Sequence, residues 1–169
     1  MIRRIVIGVA IVMWIAIIAI AFLFFTAAGG RVLAGALHVG GVAPVAFATL
    51  ALGTTPNQYL VCPEDLCAAP TDATAPTFDI PIDALRDRWQ AMASAEPSVT
   101  LLGESNDGWQ FDYVQRTAYW RFPDIITVRF IATEPGRSTL AVYSRAVYGH
   151  SDLGANKARI EAWLAKLGG

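Results

Sequence analysis

Two cysteines and one polar cluster are the residues of this 169-residue chain whose types and spacing bear on chemistry. Cys62-Pro63-Glu64-Asp65-Leu66-Cys67 is a C-x4-C pair. In an oxidising compartment it reads as a local disulfide clasp, and in a reducing one as free thiols. The spacing is not the C-x-x-C of redox sites. A zinc site would need two further ligands, and His38 and His150 are the only histidines. A clasp around so few residues removes little chain entropy, so it should stabilise by less than the usual ~2–4 kcal/mol.

The polar cluster is Arg145, Ser151, Asp152, Asn156 and Arg159, with Asp124 as a further carboxylate. Asn156 lies four residues before Ile160, at the border of an apolar stripe, and a buried amide must be hydrogen-bonded. Arg145 precedes a strand-to-helix turn and is placed to reach Asp152, Asp124 or backbone carbonyls. One reading is a polar network that fixes the last helix on a sheet. The other is an anion or headgroup site, because a helix N-terminus with Ser151 and an arginine nearby can bind phosphate. Catalysis is not expected. His150, Ser151 and Asp152 supply triad residue types, but three consecutive residues in one turn do not converge as nucleophile, base and orienter. No phosphate-cradling glycine loop is present, and no cofactor is implied.

Aromatic residues offer a third kind of surface. Trp109, Phe111 and Tyr113 share one parity along their strand, while Trp120 and Phe122 follow the other. Tyr143 likewise opposes Leu140 and Val142. One reading of these aromatics is core packing or a bend; the other is that a sheet with helices on one side only leaves Trp120, Phe122 and Tyr143 as a candidate binding face for a partner or apolar ligand.

The elements that must position these groups follow from periodicity. Phe78-Asp79-Ile80 is a short strand, and Ile82 to Ser94 a helix with Leu85, Trp89 and Met92 on one face, ended by Glu96-Pro97. Val99 to Leu102 is a strand, followed by the hairpin turn Asn106-Asp107-Gly108. Trp109 to Phe122 is a long strand whose alternation changes phase near Arg116, which implies a bend or bulge. Ile125 to Ala132 and Thr139 to Tyr148 are joined through Glu134-Pro135-Gly136-Arg137. Ser151 reads as the N-cap of a helix ending at Leu167, whose stripe is Leu153, Ile160, Trp163, Leu164 and Leu167. The expected architecture is α+β: an antiparallel sheet of about five strands in the order β-α-β-β-β-β-α, with two helices on one face.

Pro56-Asn57, Phe122-Pro123-Asp124, Ser144-Arg145 and the run Gly149-His150-Ser151-Asp152-Leu153-Gly154-Ala155-Asn156, followed by Arg159-Ile160-Glu161, resemble the bacterial and plastid domain-of-unknown-function family 1499. The resemblance covers roughly residues 56–167, and Ser-Asp-Leu-Gly-x-Asn is its most specific part. It implies a small exported or membrane-anchored protein and confers no activity. Relatives often carry a cysteine directly after Pro-Asn, where this chain has Gln58.

Charge divides the chain. Residues 1–55 hold three charges, Arg3, Arg4 and Arg31, while the remainder holds all 14 acids and ten bases. With 54% hydrophobic residues and a net charge of −1, a nucleic-acid binder built on a basic field is excluded, as is a disordered chain. Ile5 to Phe25 is 21 residues without a charge, about 30 Å of helix and enough to cross a bilayer. That is longer than a secretory signal core, although Ala27 to Gly30 would suit cleavage. Arg3 and Arg4 before the span place the N-terminus in the cytoplasm and the rest in the periplasm of a bacterial inner membrane. Val32 to Leu52 is also uncharged but rich in Ala, Gly and Pro. As a second span it would return the domain to the cytoplasm; otherwise it lies on the membrane or against a partner. The expected organisation is an anchor over 1–30, an apolar linker or membrane-associated segment over 31–55, and a soluble domain over 56–169. The expected role is an accessory or binding protein contacting a membrane protein complex, with a lipid or small apolar-ligand binder as the alternative and an enzyme of unknown type as the second alternative.

Overall fold

The computed structural model describes residues 2–168, in the order α1 (Ile2–Phe25), α2 (Ala27–Ala36), β1 (Gln58–Cys62), β2 (Ala73–Thr74), α3 (Ile82–Ala95), β3 (Val99–Glu104), β4 (Gln110–Arg116), β5 (Pro123–Glu134), β6 (Arg137–Ala146) and α4 (Ala155–Leu167). They group into two compact units. One contains the residues up to His38 together with Thr117–Phe122, and the other Val39–Arg116 with Pro123 onward.

In the first unit, α1 is the one described helix long and apolar enough to cross a membrane. Its end is defined by Thr26, whose hydroxyl donates to Phe22 O (2.7 Å) and accepts from Gly29 N (2.9 Å), capping α2. Gly29 permits this tight elbow, since a Cβ there would lie 2.1 Å from Phe22 O.

The second unit is a six-stranded sheet in the order β2-β1-β6-β5-β4-β3. This corrects the expected five-stranded antiparallel sheet. The β3–β4–β5–β6–β1 pairs are antiparallel, but β2 lies parallel to β1, with Val61 opposite Ala73 and Cys62 opposite Thr74. Asp72 makes the return possible: its carboxylate accepts from Leu60 N (2.7 Å) and its own N–H donates to Leu60 O (2.9 Å). The expected first strand at Phe78 is only an isolated bridge to Ser138. The real first strand, Gln58–Cys62, is buried on both faces and so shows no alternation to read.

Among the described residues there are four α-helices, α2 being the one not expected. Both α3 and α4 cover one sheet face, where Leu85, Trp89, Ile160 and Trp163 pack on Phe111, Ile126, Phe130 and Val142. Trp89 sits edge-to-face on Trp163 (5.4 Å between ring centroids) and on Phe130 (6.2 Å). The long strand expected over 109–122 stops at Arg116, and the phase change there is the start of a connection rather than a bend. Ser151 is not the N-cap of α4. That place belongs to Gly154 in the left-handed region (φ 81°), so Leu153 falls outside the helix and stands fully in solvent.

The other sheet face is covered as well. Residues 39–52 form no long helix, only the turn Phe47–Thr49. They lay Val45 and Phe47 onto Leu60, Cys62, Ala141 and Tyr143 in a second apolar cluster. Gln110 holds this strap by donating to Val45 O (3.0 Å) in the buried interior. Val45 and Phe47 are the buried residues of 39–52, and both face the sheet.

Candidate functional site

The alternation of β6 assigns its C-terminal residues to opposite faces. Ser144 faces α4, and its hydroxyl donates to Asn156 Oδ1 (2.6 Å). Arg159, one turn further along α4, donates to Asn156 Oδ1 (2.6 Å), to Ser144 Oγ (3.0 Å), to the Gln115 amide oxygen and to Asp124 Oδ2. The Asn156 amide in turn donates to Asp152 Oδ2 (2.7 Å) and to the backbone carbonyl of Asn57 (3.0 Å). Five of the six residues singled out from sequence bear on this corner. Asp124, Asp152, Asn156 and Arg159 are bonded in one network. Ser151 stands at its edge, accepting from Leu153 N (3.2 Å).

Arg145 is not part of it. One residue beyond Ser144, it emerges on the strap side, 4.9 Å over the Tyr143 ring. It donates to Thr127 Oγ1 (3.3 Å), and that hydroxyl donates to Asp112 Oδ1 (2.5 Å). Burial lowers the Arg145 pKa from its usual value, with Tyr143 and Asp112 acting in the opposite direction. The sheet itself separates it from Asp152 and Asp124.

The helix N-terminus is already served. Asp152 accepts from the backbone N–H groups of Gly154 (3.1 Å) and Asn156 (2.8 Å), doing what a bound anion would do there. Burial pushes the Asp152 carboxyl up, but these hydrogen bonds and the Asn156 amide outweigh it, so its pKa lies below the usual value. Asp124 is shifted the other way: burial raises it and the nearby Asp152 adds to this, while Arg159 opposes. The corner is a closed polar lattice that fixes α4 to β5 and β6. Gln115 and Ser144 belong to it through strand parity, a signal present in the alternation around Tyr113 and Val142. Asn57 joins from a loop, outside any periodic element, and only the Pro56-Asn57 motif points to it.

Cys62 and Cys67 are disulfide-bonded. Among the described residues no group of three or more His, Cys, Asp or Glu side chains could hold a metal ion. Tyr143, a candidate for core or for an open face, is core: it is buried beneath the strap with its hydroxyl donating to Gln58 Oε1 (2.5 Å). Trp120 and Phe122 remain exposed, on the β4–β5 connection rather than in a strand.

The sheet unit has several concave surfaces, one of them between residues 43–51 and Tyr143 and Arg145. Another is an open groove of about 570 Å³ between α3 and β3, lined by Asp87, Gln90, Ala91, Val99, Leu101 and Tyr113, among others. Burial pushes the Tyr113 phenol up to about 12, with Glu104 adding to it, so a neutral hydroxyl borders the groove. β3 is an edge strand; Leu101, which lines the groove, is 51% exposed, and Leu102, which lines a separate hollow with residues 39–42, is 41% exposed.

Residues 52–167 match the sequence model of a family described as protein of unknown function (DUF1499). No curated protein matches the chain.

Proposed function

Since the chain belongs to the DUF1499 family of proteins of unknown function, we propose a role from its geometry: a membrane-tethered accessory protein whose α+β domain stands in the periplasm and binds a component of a membrane protein complex. The observation that carries the binding role is the α3–β3 groove. It pairs apolar side chains with the unpaired backbone edge of β3, the arrangement that accepts an added strand from a partner. The placement is supported by two further features. Arg3 and Arg4 flank the uncharged stretch of α1 on its N-terminal side, which favours retaining that end in the cytoplasm. The Cys62–Cys67 bridge belongs in an oxidising compartment. The reading is of a binding module and not of an enzyme.

A photo-activatable residue at Leu101, in the full chain expressed in its native membrane, tests the role. The expected outcome is one recurring cross-linked membrane protein, lost when Thr100→Lys and Leu102→Glu charge the edge. No product at Leu101, while a surface control such as Lys157 behaves identically, would remove the groove as a binding site. The groove volume also lies in the range of small-molecule pockets, which favours an apolar ligand as the second reading. Native mass spectrometry of the protein released from mild detergent decides: a co-purifying lipid displaced by bulky Ala91→Trp supports the ligand in place of the protein partner. Alkylation of Cys62 and Cys67 in intact cells only after an external reductant supports the periplasmic placement, and free thiols reached only after lysis would exclude it.

A further inference from the structure

The turn Thr117–Phe122 groups with α1 and α2 and not with the sheet it interrupts. Its sequence is Thr-Ala-Tyr-Trp-Arg-Phe. The turn is closed at its base, where Thr117 N donates to Phe122 O (3.0 Å) and Phe122 N donates to Thr117 Oγ1 (3.0 Å). Arg121 takes a left-handed conformation (φ 57°), which tightens the tip. A large aromatic surface is left outside: Tyr119 is 66% exposed, Trp120 60% and Phe122 40%. Trp120 and Phe122 are stacked, with centroids 6.5 Å apart.

Two contacts fix where this tip lies on the helical unit. The Trp120 ring meets Phe24 edge-on, 4.8 Å between centroids. The Arg121 guanidinium lies against Gly30, where a Cβ would come within 3.2 Å of it. Phe24 is one residue from the end of α1. Counted at about 1.5 Å per residue from Arg4, it lies about 30 Å along the helix, at the far boundary of a hydrocarbon core. A ring packed on Phe24 is therefore held at the depth where Trp and Tyr are enriched in membrane proteins, with an apolar body in the acyl region and a polar edge in water.

We propose that the 117–122 turn is a second membrane contact, an interfacial anchor that seats Tyr119 and Trp120 among the lipid headgroups at the end of α1. It rests on the tether reading and adds to it a second, non-helical attachment. The occupant is the lipid surface because the Phe24 contact sets the depth of the tip, and because Tyr, Trp and Arg together suit a headgroup layer of apolar, dipolar and anionic groups. The anchor would make the β4–β5 connection, and not only the N-terminal helix, a fixed point of the chain on the bilayer.

The test uses the full chain in phosphatidylcholine–phosphatidylglycerol vesicles, with a nitroxide on Tyr119→Cys. The native cysteines are both in the disulfide and do not take the label. Trp14→Cys, in the middle of α1, calibrates the bilayer interior. At Tyr119→Cys, collisions with dissolved oxygen should exceed those with a water-soluble nickel chelate severalfold, at a depth between Trp14→Cys and the aqueous phase. Aqueous behaviour at Tyr119→Cys, with Trp14→Cys in lipid, would overturn the anchor and leave the tether standing. Aqueous behaviour at both positions would remove the tether and the anchor with it. Dipolar broadening at Tyr119→Cys from a second copy would also overturn it, since the tip would then be a protein contact.

Discussion

Arg159 and Asp124 form an ion pair in which both side chains are nearly excluded from water, at 9% and 6% exposure. The pair joins the middle of α4 to the start of β5, and every other polar group at that corner is arranged around it. Such a pair is costly to bury and more costly to break, because the survivor keeps its desolvation penalty without its partner.

Arg159→Met is therefore expected to destabilise the protein by about 3–5 kcal/mol. Removing both charges with Arg159→Met and Asp124→Leu should restore most of that loss, since no lone buried charge remains. Thermal unfolding of the three proteins in one detergent measures it. A double variant as unstable as the single one would mean that Ser144 and Asn156, not the charges, carry the corner.

Asp152 sets a pH dependence whose sign is fixed by its hydrogen bonds. Its folded pKa lies below the unfolded value, so its contribution to stability is present above the unfolded carboxylate pKa, about 3.9, and disappears as pH falls through the folded value. Asp152→Asn retains the shape and removes the titration. The stability difference between the natural chain and this variant should be constant at neutral pH and shrink below about pH 4. Denaturant midpoints measured from pH 3 to pH 7 check this, and a difference that grows toward acid would contradict the assignment.

How far such a corner can be read from sequence depends on which signal each residue carries. The helix around Trp89 was legible because Leu85 and Trp89 recur at helical spacing and Pro97 closes it. Asn156 was legible for the same reason, lying one turn from Ile160. Arg145 misled because adjacent strand residues face opposite ways, and the parity of Leu140 and Val142 turns Ser144, not Arg145, toward the helix. β1 was hidden by its own burial: Tyr59, Leu60, Val61 and Cys62 are apolar on both faces, so the period of two vanishes. Its parallel partner Ala73–Thr74 is two residues long and is recognisable only through the Asp72–Leu60 hydrogen bonds. The strap was the hardest of all, since an uncharged run reads equally well against lipid or against a sheet.

The disulfide offers a separate check. Cys62 is a buried strand residue and Cys67 lies in the loop leading to β2, so the bridge tightens the chain reversal that makes β2 parallel. Loop-closure entropy for so short a ring gives about 2 kcal/mol at most. Cys62→Ala with Cys67→Ala should lower stability by that amount and keep the fold by circular dichroism. A loss of several times that size would show that the 63–72 reversal cannot close without the bond.

Phe47 distinguishes the strap as a structural element from a membrane-associated one. It is 3% exposed and packs with Val45 on the sheet face opposite the helices. Phe47→Ala leaves a cavity there and should cost about 3–5 kcal/mol. Because this cluster and Gln110 hold the strap, its amides should lose hydrogen-exchange protection in the variant before those of β5 and β6 do. Exchange measured by mass spectrometry on the full chain in detergent resolves the order. Unchanged stability, together with unchanged protection over 43–52, would mean that the segment finds its apolar partner in the lipid and not in Leu60, Ala141 and Tyr143.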